Sequence, residues 1–204
     1  MRLLRPAIAA TTLVTLLAFA GCASTPSASG PGSLEPSNPD GDVIAQGTVR
    51  GDGSGAELCL GAVAESYPPQ CSGIPLAGWS WDAVDGAETA SGVTWGAYAV
   101  QGAYDGATIT VTEPPVLLAL YDPMPLDDPT GGRPGTADDA TLQDVQARVH
   151  DTLGAGVLTS GTYDGRLWVT VVWDDGTLQQ AADAEFGDDV VVVQSALRQV
   201  ASER

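Results

Sequence analysis

The sequence lacks lysine altogether and has a single histidine, His150, among its 204 residues. Without lysine, Schiff-base chemistry and phosphate-binding loops that use a lysine are excluded. The lone histidine has no Gly-x-Ser-x-Gly nucleophile elbow or reactive cysteine to serve, so no serine or cysteine hydrolase is indicated. We therefore expect no cofactor and no metal.

Positive charge is also scarce, because the eight basic residues are all arginine while 26 residues are acidic, a net charge of −18. Nucleic acids and anionic lipid headgroups are bound through clusters of cations, so we expect no nucleic-acid partner. Carboxylates are the one catalytic group in ample supply, since two acids from distant strands can hydrolyse a glycoside without any local motif. A small extracytoplasmic hydrolase is thus the alternative to a non-enzymatic role.

The N-terminus has the layout of a cleaved signal peptide, with Arg2 and Arg5 followed by an uncharged apolar run over 7–20. That run is too short to cross a bilayer comfortably, which requires about 20 apolar residues. It ends in Ala20-Gly21-Cys22. This ending resembles the lipobox of bacterial lipoproteins, in which small residues precede the cysteine that receives lipid. The resemblance implies a fatty-acylated (palmitate-type) Cys22 that anchors the protein to the outer face of the cell membrane.

Composition divides the remainder of the chain into a tether and two modules. Cleavage before Cys22 leaves six arginines against 26 acidic residues, a net charge of −20. The Ser-, Pro- and Gly-rich stretch after it has too little apolar surface to fold, which predicts a disordered tether. The predicted segments are a signal peptide (1–21), a tether (22–41), a β-rich module (42–122), a Pro/Gly/Asp-rich linker (123–138) and a small α+β module (139–204).

The first module contains five strand-like runs between turn residues. They are Val43–Val49, Leu58–Val63, Gly92–Val100, Ala107–Thr112 and Val116–Tyr121. Their spacing predicts a small antiparallel barrel or sandwich, with the oligonucleotide/oligosaccharide-binding (OB) barrel as one candidate. Asp105-Gly106 predicts a two-residue hairpin turn, because Asp and Gly tolerate positive φ.

Two cysteines remain for pairing once Cys22 carries lipid. Cys59 and Cys71 can form one bridge in an exported protein, and closing a loop of this length contributes about 3 kcal/mol. A metal site would need a further Cys or His nearby, and the sequence has none there. We therefore predict a structural disulfide.

Aromatic and proline residues of the first module form the candidate binding surface: Tyr67, Pro68, Pro69, Trp79, Trp81 and Trp95. Such residues build apolar platforms for sugars or peptides. For Trp79 and Trp81 the favoured interpretation is core packing, because residues two apart on a strand share one face. The runs Glu57–Gly61, Pro68–Cys71 and Gly78–Asp82 are similar to small uncharacterised actinobacterial lipoproteins, a resemblance that implies a host and a fold class but no activity.

The second module has helical periodicity over 139–153, ended by Gly154, and again over Leu178–Phe186. Strand-like runs lie between and after the helices: Val157–Gly161, Leu167–Trp173 and Val190–Val193. The order predicts helices on one face of a three-stranded sheet, and the fold class as a whole is α+β. The leading functional hypothesis is a non-enzymatic envelope lipoprotein that binds or scaffolds a cell-wall or protein partner. A small-ligand-binding lipoprotein is a further alternative, and it requires a cavity.

Overall fold

The structure is a computed structural model that describes residues 34–123 and 128–200. Cys22, the signal peptide and most of the tether lie outside the described residues. The mixed α+β class is confirmed. The elements are β1 (Asp42–Gly51), β2 (Ala56–Cys59), β3 (Ile74–Ala77), β4 (Glu88–Ala90), β5 (Val93–Tyr104), β6 (Ile109–Val111), β7 (Val116–Leu117), α1 (Asp139–Leu153), β8 (Val157–Tyr163), β9 (Arg166–Val171), α2 (Thr177–Phe186), β10 (Val191–Ser195) and β11 (Arg198–Gln199).

Five strands of the first module close into a barrel. Going round it, β1 pairs with β2, β2 with β3, β3 with β6, β6 with β5, and β5 returns to β1. The β3–β6 pair is parallel and the other four are antiparallel. Alternation along β1 and β5 turns Val43, Val49, Tyr98 and Val100 inward, where they are almost fully buried. The barrel form of the sequence prediction is therefore confirmed.

Several strand boundaries differ from those predicted. Strand β2 ends at Cys59 instead of continuing to residue 63, because the chain leaves the sheet there for the disulfide loop. Strand β3 was not predicted, since it is short and contains Pro75, which cannot donate to a sheet ladder. After β7 the chain forms a 3₁₀ turn over Leu118–Leu120 where a strand was predicted.

The hairpin between β5 and β6 is confirmed, but its loop has four residues rather than two. Tyr104 pairs with Ile109, and the loop between them begins at Asp105. The Asp105 carboxylate accepts hydrogen bonds from the backbone N–H groups of Ala107 and Thr108, at 2.9 and 2.7 Å. Only Gly106 adopts a positive φ. Asp105 thus acts as a hydrogen-bond acceptor in this turn.

The second module contains α1, β8, β9, α2 and β10. Strands β8 and β9 are antiparallel and β10 is parallel to β9, with α1 and α2 packed on one face of this sheet. Helix α1 has the predicted bounds because Asp138 accepts the Thr141 N–H at 2.8 Å and Gly154 ends it. In the described part of the chain, no helix is long and apolar enough to cross a membrane.

The second module packs against the barrel, a question that the sequence left open. After β10 the chain returns to the barrel, where β11 pairs with the start of β1. Leu197, between β10 and β11, is fully buried in the barrel core, and Trp173 packs against the same core. Strand β11 was not predicted because two residues carry no periodic signal.

The chain is held to the folded body before β1 begins. The Ser37 N–H donates to the Asp175 carboxylate at 2.9 Å, and the Trp173 indole N–H donates to the Ser37 carbonyl at 2.8 Å. Hydrogen bonds from the Thr177 hydroxyl and the Ser37 N–H lower the pKa of Asp175 to about 2. We call Ser37, Trp173 and Asp175 the N-terminal clamp. It fixes the end of the predicted tether beside the first residues of β1.

Candidate functional site

The predicted disulfide between Cys59 and Cys71 is present, with the two Cα atoms 6.0 Å apart. It ties down the long connection from β2 to β3. Within that connection Ala64 pairs with Gln70, and the Ser66 hydroxyl donates to the Pro68 carbonyl at 2.9 Å. The bridge and these bonds hold a small hairpin whose tip is Tyr67-Pro68, joined by a cis peptide bond.

Tyr67 projects from this hairpin onto the outer wall of the barrel. Its ring meets Trp95 of β5 edge to face, with centroids 5.0 Å apart, and its hydroxyl donates to Glu88 at 3.4 Å. Tyr67 is nevertheless 71% exposed, whereas Trp95 beneath it is 9% exposed. We call Tyr67, Pro68, Pro69, Glu88 and Trp95 the Tyr67 surface.

An ion pair beside this surface holds both ends of the connection between β2 and β3. Arg50 is the cross-strand neighbour of Trp95, and it pairs with Glu57 of β2 at 2.5 Å. The second oxygen of Glu57 accepts the Gly73 N–H at 3.0 Å, where the chain rejoins the sheet. Both side chains are partly buried, so water screens this pair less than a pair on the open surface. The hairpin is therefore anchored by an ion pair as well as by the disulfide.

Trp79 and Trp81 are not part of the Tyr67 surface. Strand β3 ends at Ala77, so the two residues do not lie on a strand as the sequence analysis assumed; Trp81 begins a 3₁₀ turn. Their ring centroids lie 5.2 Å apart, and the ring centroid of Trp79 also lies 5.2 Å from that of Tyr98. Both pack against the barrel core. Burial raises the pKa of Tyr98, whose hydroxyl donates to the Asp85 carbonyl at 2.8 Å.

Several of the acidic residues cap turns or helices, among them Asp52, Asp128 and Asp138. Hydrogen bonds from Thr130 lower the pKa of Asp128, and those from Ser54 lower that of Asp52. A general acid needs a raised pKa, the opposite shift. No cluster of three or more potential metal-binding side chains occurs among the described residues. His150 lies exposed in the last turn of α1.

Two features escaped the sequence analysis. Arg166 is only 2% exposed; it donates to Asp189 at 3.0 Å and to the Arg133 carbonyl, which holds the linker to the sheet. An arginine that follows Asp-Gly in a hairpin is typical of a solvated surface, so its burial could not be predicted from the sequence. A cavity between the barrel and the second sheet was likewise unpredicted, because its walls come from distant parts of the chain.

Comparison with protein-family models, curated proteins and solved structures finds no match to this chain.

Proposed function

We propose that the protein is a non-enzymatic lipoprotein of the bacterial cell envelope that presents the Tyr67 surface to cell-wall glycan. The signal-peptide layout and the Ala20-Gly21-Cys22 lipobox support export, cleavage and lipid attachment at Cys22. The disulfide between Cys59 and Cys71 fits an oxidising compartment outside the cytoplasm.

The single observation that carries the proposal is that the N-terminal clamp and the Tyr67 surface lie at opposite ends of β1. The clamp is next to the first residues of the strand, while Arg50, at its far end, is paired across the sheet with Trp95. A strand of this length spans about 30 Å. For the predicted tether between Cys22 and the clamp, the flexible-coil estimate adds a reach of about 20 Å. The point where the predicted tether joins the folded part is thus at the opposite end of β1 from the Tyr67 surface, which is the surface offered to the wall.

The chemistry of the surface suits a neutral glycan. An exposed tyrosine ring stacks on the apolar face of a sugar, and the neighbouring carboxylates of Glu65 and Glu88 accept hydrogen bonds from sugar hydroxyls. The net charge of −18 repels polyanions, so nucleic acid is not a partner.

We assign the barrel to the OB-like class, followed by an appended α+β module. Around the barrel the strands follow the order β1, β2, β3, β6, β5 and back to β1, and the β3–β6 pair is parallel. This is the arrangement of OB barrels. Such barrels bind oligosaccharides or oligonucleotides on the face of strands 2 and 3. Here β2 and β3 carry no aromatic residue. The contact with glycan therefore shifts to the disulfide hairpin beside that face.

The anchor is tested by metabolic labelling with a fatty acid. The wild type and a Ser24→Ala control should be labelled and found in the membrane fraction, whereas Cys22→Ala should lose both properties. Labelling that persists in Cys22→Ala contradicts the lipid anchor at this residue.

Glycan binding is tested by titrating the full chain with soluble cell-wall glycan fragments while tryptophan fluorescence is recorded. We expect quenching in the wild type and in the control Trp168→Phe, and a strongly reduced signal in Trp95→Phe. A flat titration of the wild type contradicts the proposed partner.

A further inference from the structure

Strand β10 lies at one side of the second module's sheet. In the part of the chain that the structure describes, β10 pairs with β9 and with no other strand. The Leu167 N–H donates to the Val190 carbonyl at 2.9 Å, so residues 190 and 192 turn their backbone groups toward β9. Val191 and Val193 therefore turn theirs away from β9, toward the outer edge of the sheet.

Gln179 of α2 bonds to both of these edge residues. Its amide nitrogen donates to the Val191 carbonyl at 2.9 Å, and its amide oxygen accepts the Val193 N–H at 2.9 Å. One residue of a parallel strand would bond to the same two groups through its own N–H and C=O. The amide nitrogen also donates to Asp183, one turn further along α2, at 2.8 Å. The side-chain amide of Gln179 thus takes the place of a peptide group of a further strand.

The segment that forms this edge has the composition of one that pairs with copies of itself. Residues 190–195 are four valines followed by Gln and Ser, with no charge, proline or glycine. A short segment of this composition on an open edge pairs with the same segment of another molecule. Asp188 and Asp189 come before the strand, and no charged residue lies within it. Protection at the middle of the edge therefore comes from Gln179.

The opposite edge of the sheet is protected in a different way. The Gln146 amide of α1 donates to the Ser160 carbonyl of β8 at 3.3 Å and to the Ser160 hydroxyl at 3.2 Å. Strand β8 also has a bulge between Val157 and Thr159, and bulges hinder the addition of a further strand. Strand β10 keeps a regular register with β9 from Val191 to Ser195, so it has no bulge to serve this purpose.

We propose that Gln179 is an inhibitory contact that occupies the β10 edge and so prevents a second copy of this chain from pairing there. Without the Gln179 amide, the Val191 carbonyl and the Val193 N–H become available to the β10 edge of another molecule. The contact uses no residue of the Tyr67 surface, so it does not depend on the proposed function.

Sedimentation of the full chain over a range of protein concentrations, in low and in high salt, tests the proposal. Gln179→Ala removes the amide and preserves α2, because alanine is the better helix former. Its mass should rise with concentration toward that of a dimer or a larger assembly. High salt should strengthen this association, because it screens the repulsion between copies that each carry a net charge of −18. Gln180→Ala, at the exposed next position of α2, should sediment like the wild type.

A second control separates an open edge from a general loss of stability. Val145→Ala shortens a side chain of α1 that is 4% exposed in the core beneath the same sheet, and it leaves Gln179 in place. This variant should melt at a lower temperature than the wild type and still sediment like it.

Hydrogen exchange at the Val193 N–H locates the contact. In dilute Gln179→Ala this N–H should exchange faster than in the wild type, because its acceptor is gone. Its exchange should slow again as the concentration rises and the edges pair.

Each of three results would overturn the proposal. Gln179→Ala that sediments like the wild type at every concentration in both salts shows that the edge does not pair. Association of Val145→Ala to the same extent as Gln179→Ala makes lost stability the cause. Exchange of the Val193 N–H that does not slow with concentration in Gln179→Ala places the association elsewhere on the molecule.

Discussion

Two aromatic groups lie at the same end of β1. The inner cluster, Trp79 and Trp81, packs against the barrel core, and the outer pair, Tyr67 and Trp95, lies on the outer wall. Trp79 and Trp81 meet at 5.2 Å and pack against the core, whereas Tyr67 and Trp95 meet at 5.0 Å on the outer wall with Tyr67 71% exposed. In both groups the two rings meet edge to face at nearly the same centroid distance. Location relative to the barrel wall, and not residue type, therefore separates a stabilising cluster from a candidate binding surface.

The alternation of β1 places the two groups on opposite sides of the wall. Arg50 is paired with Trp95 on the outside, and the next residue, Gly51, faces inward. A Cβ at Gly51 would lie 3.2 Å from the Trp81 indole nitrogen and 2.5 Å from the Gly55 carbonyl oxygen. The absence of a side chain at Gly51 thus makes room for the inner cluster.

The largest effect on stability is expected from the inner cluster. Trp79→Ala should lower the free energy of unfolding by about 3 kcal/mol, because it leaves a cavity beside Tyr98 in the barrel core. Urea denaturation measures the loss. Glycan binding by the remaining folded protein should match the wild type. A change below about 1 kcal/mol would contradict the assignment of Trp79 to the core.

Loss of the disulfide should lower both the stability of the protein and its binding of glycan. The double variant Cys59→Ser, Cys71→Ser should lose about 3 kcal/mol of unfolding free energy, because the open loop gains conformational freedom in the unfolded state. Glycan binding should fall as well, since the hairpin that carries Tyr67 is no longer tied to β2. Wild-type binding by the stable fraction of the double variant would show that the bridge does not support the surface.

Removal of the exposed ring should separate binding from stability. Tyr67→Ala should change the unfolding free energy by less than about 1 kcal/mol, because the side chain is mostly exposed. Trp95 should become accessible, which shifts its emission to longer wavelength. An unfolding midpoint as low as that of Trp79→Ala would mean that the outer pair is also structural.

The smallest effect on stability is expected from the N-terminal clamp, at the other end of β1. The pKa of Asp175 is about 2 when folded, below its ordinary value of 3.8. Its contribution is therefore present above pH 3.8 and is lost as the pH falls through about 2. The NMR signal of the Ser37 N–H should titrate with a midpoint near pH 2. In Asp175→Asn no such titration should occur; if it persists, another group controls the clamp.

The sequence predicted features that depend on local chemistry. The bounds of α1, the disulfide and the β5–β6 hairpin follow from periodicity, cysteine count and turn residues. It did not predict β3, β4 or β11, which are two to four residues long and are defined by pairing with strands distant in sequence or across a turn, and not by a periodic pattern of their own. The contact of Tyr67 with Trp95 escaped for a similar reason, since it joins a loop tip to a distant strand.

The central claim is that Tyr67 binds cell-wall glycan because of where it lies, and Tyr163 provides a matched control. Tyr163 is 73% exposed at the tip of the β8–β9 hairpin, against 71% for Tyr67. Cosedimentation of the full chain with purified, insoluble cell-wall glycan compares the wild type, Tyr67→Ala and Tyr163→Ala. We predict that Tyr67→Ala stays in the supernatant while Tyr163→Ala sediments like the wild type. Equal sedimentation of the two variants would contradict the claim.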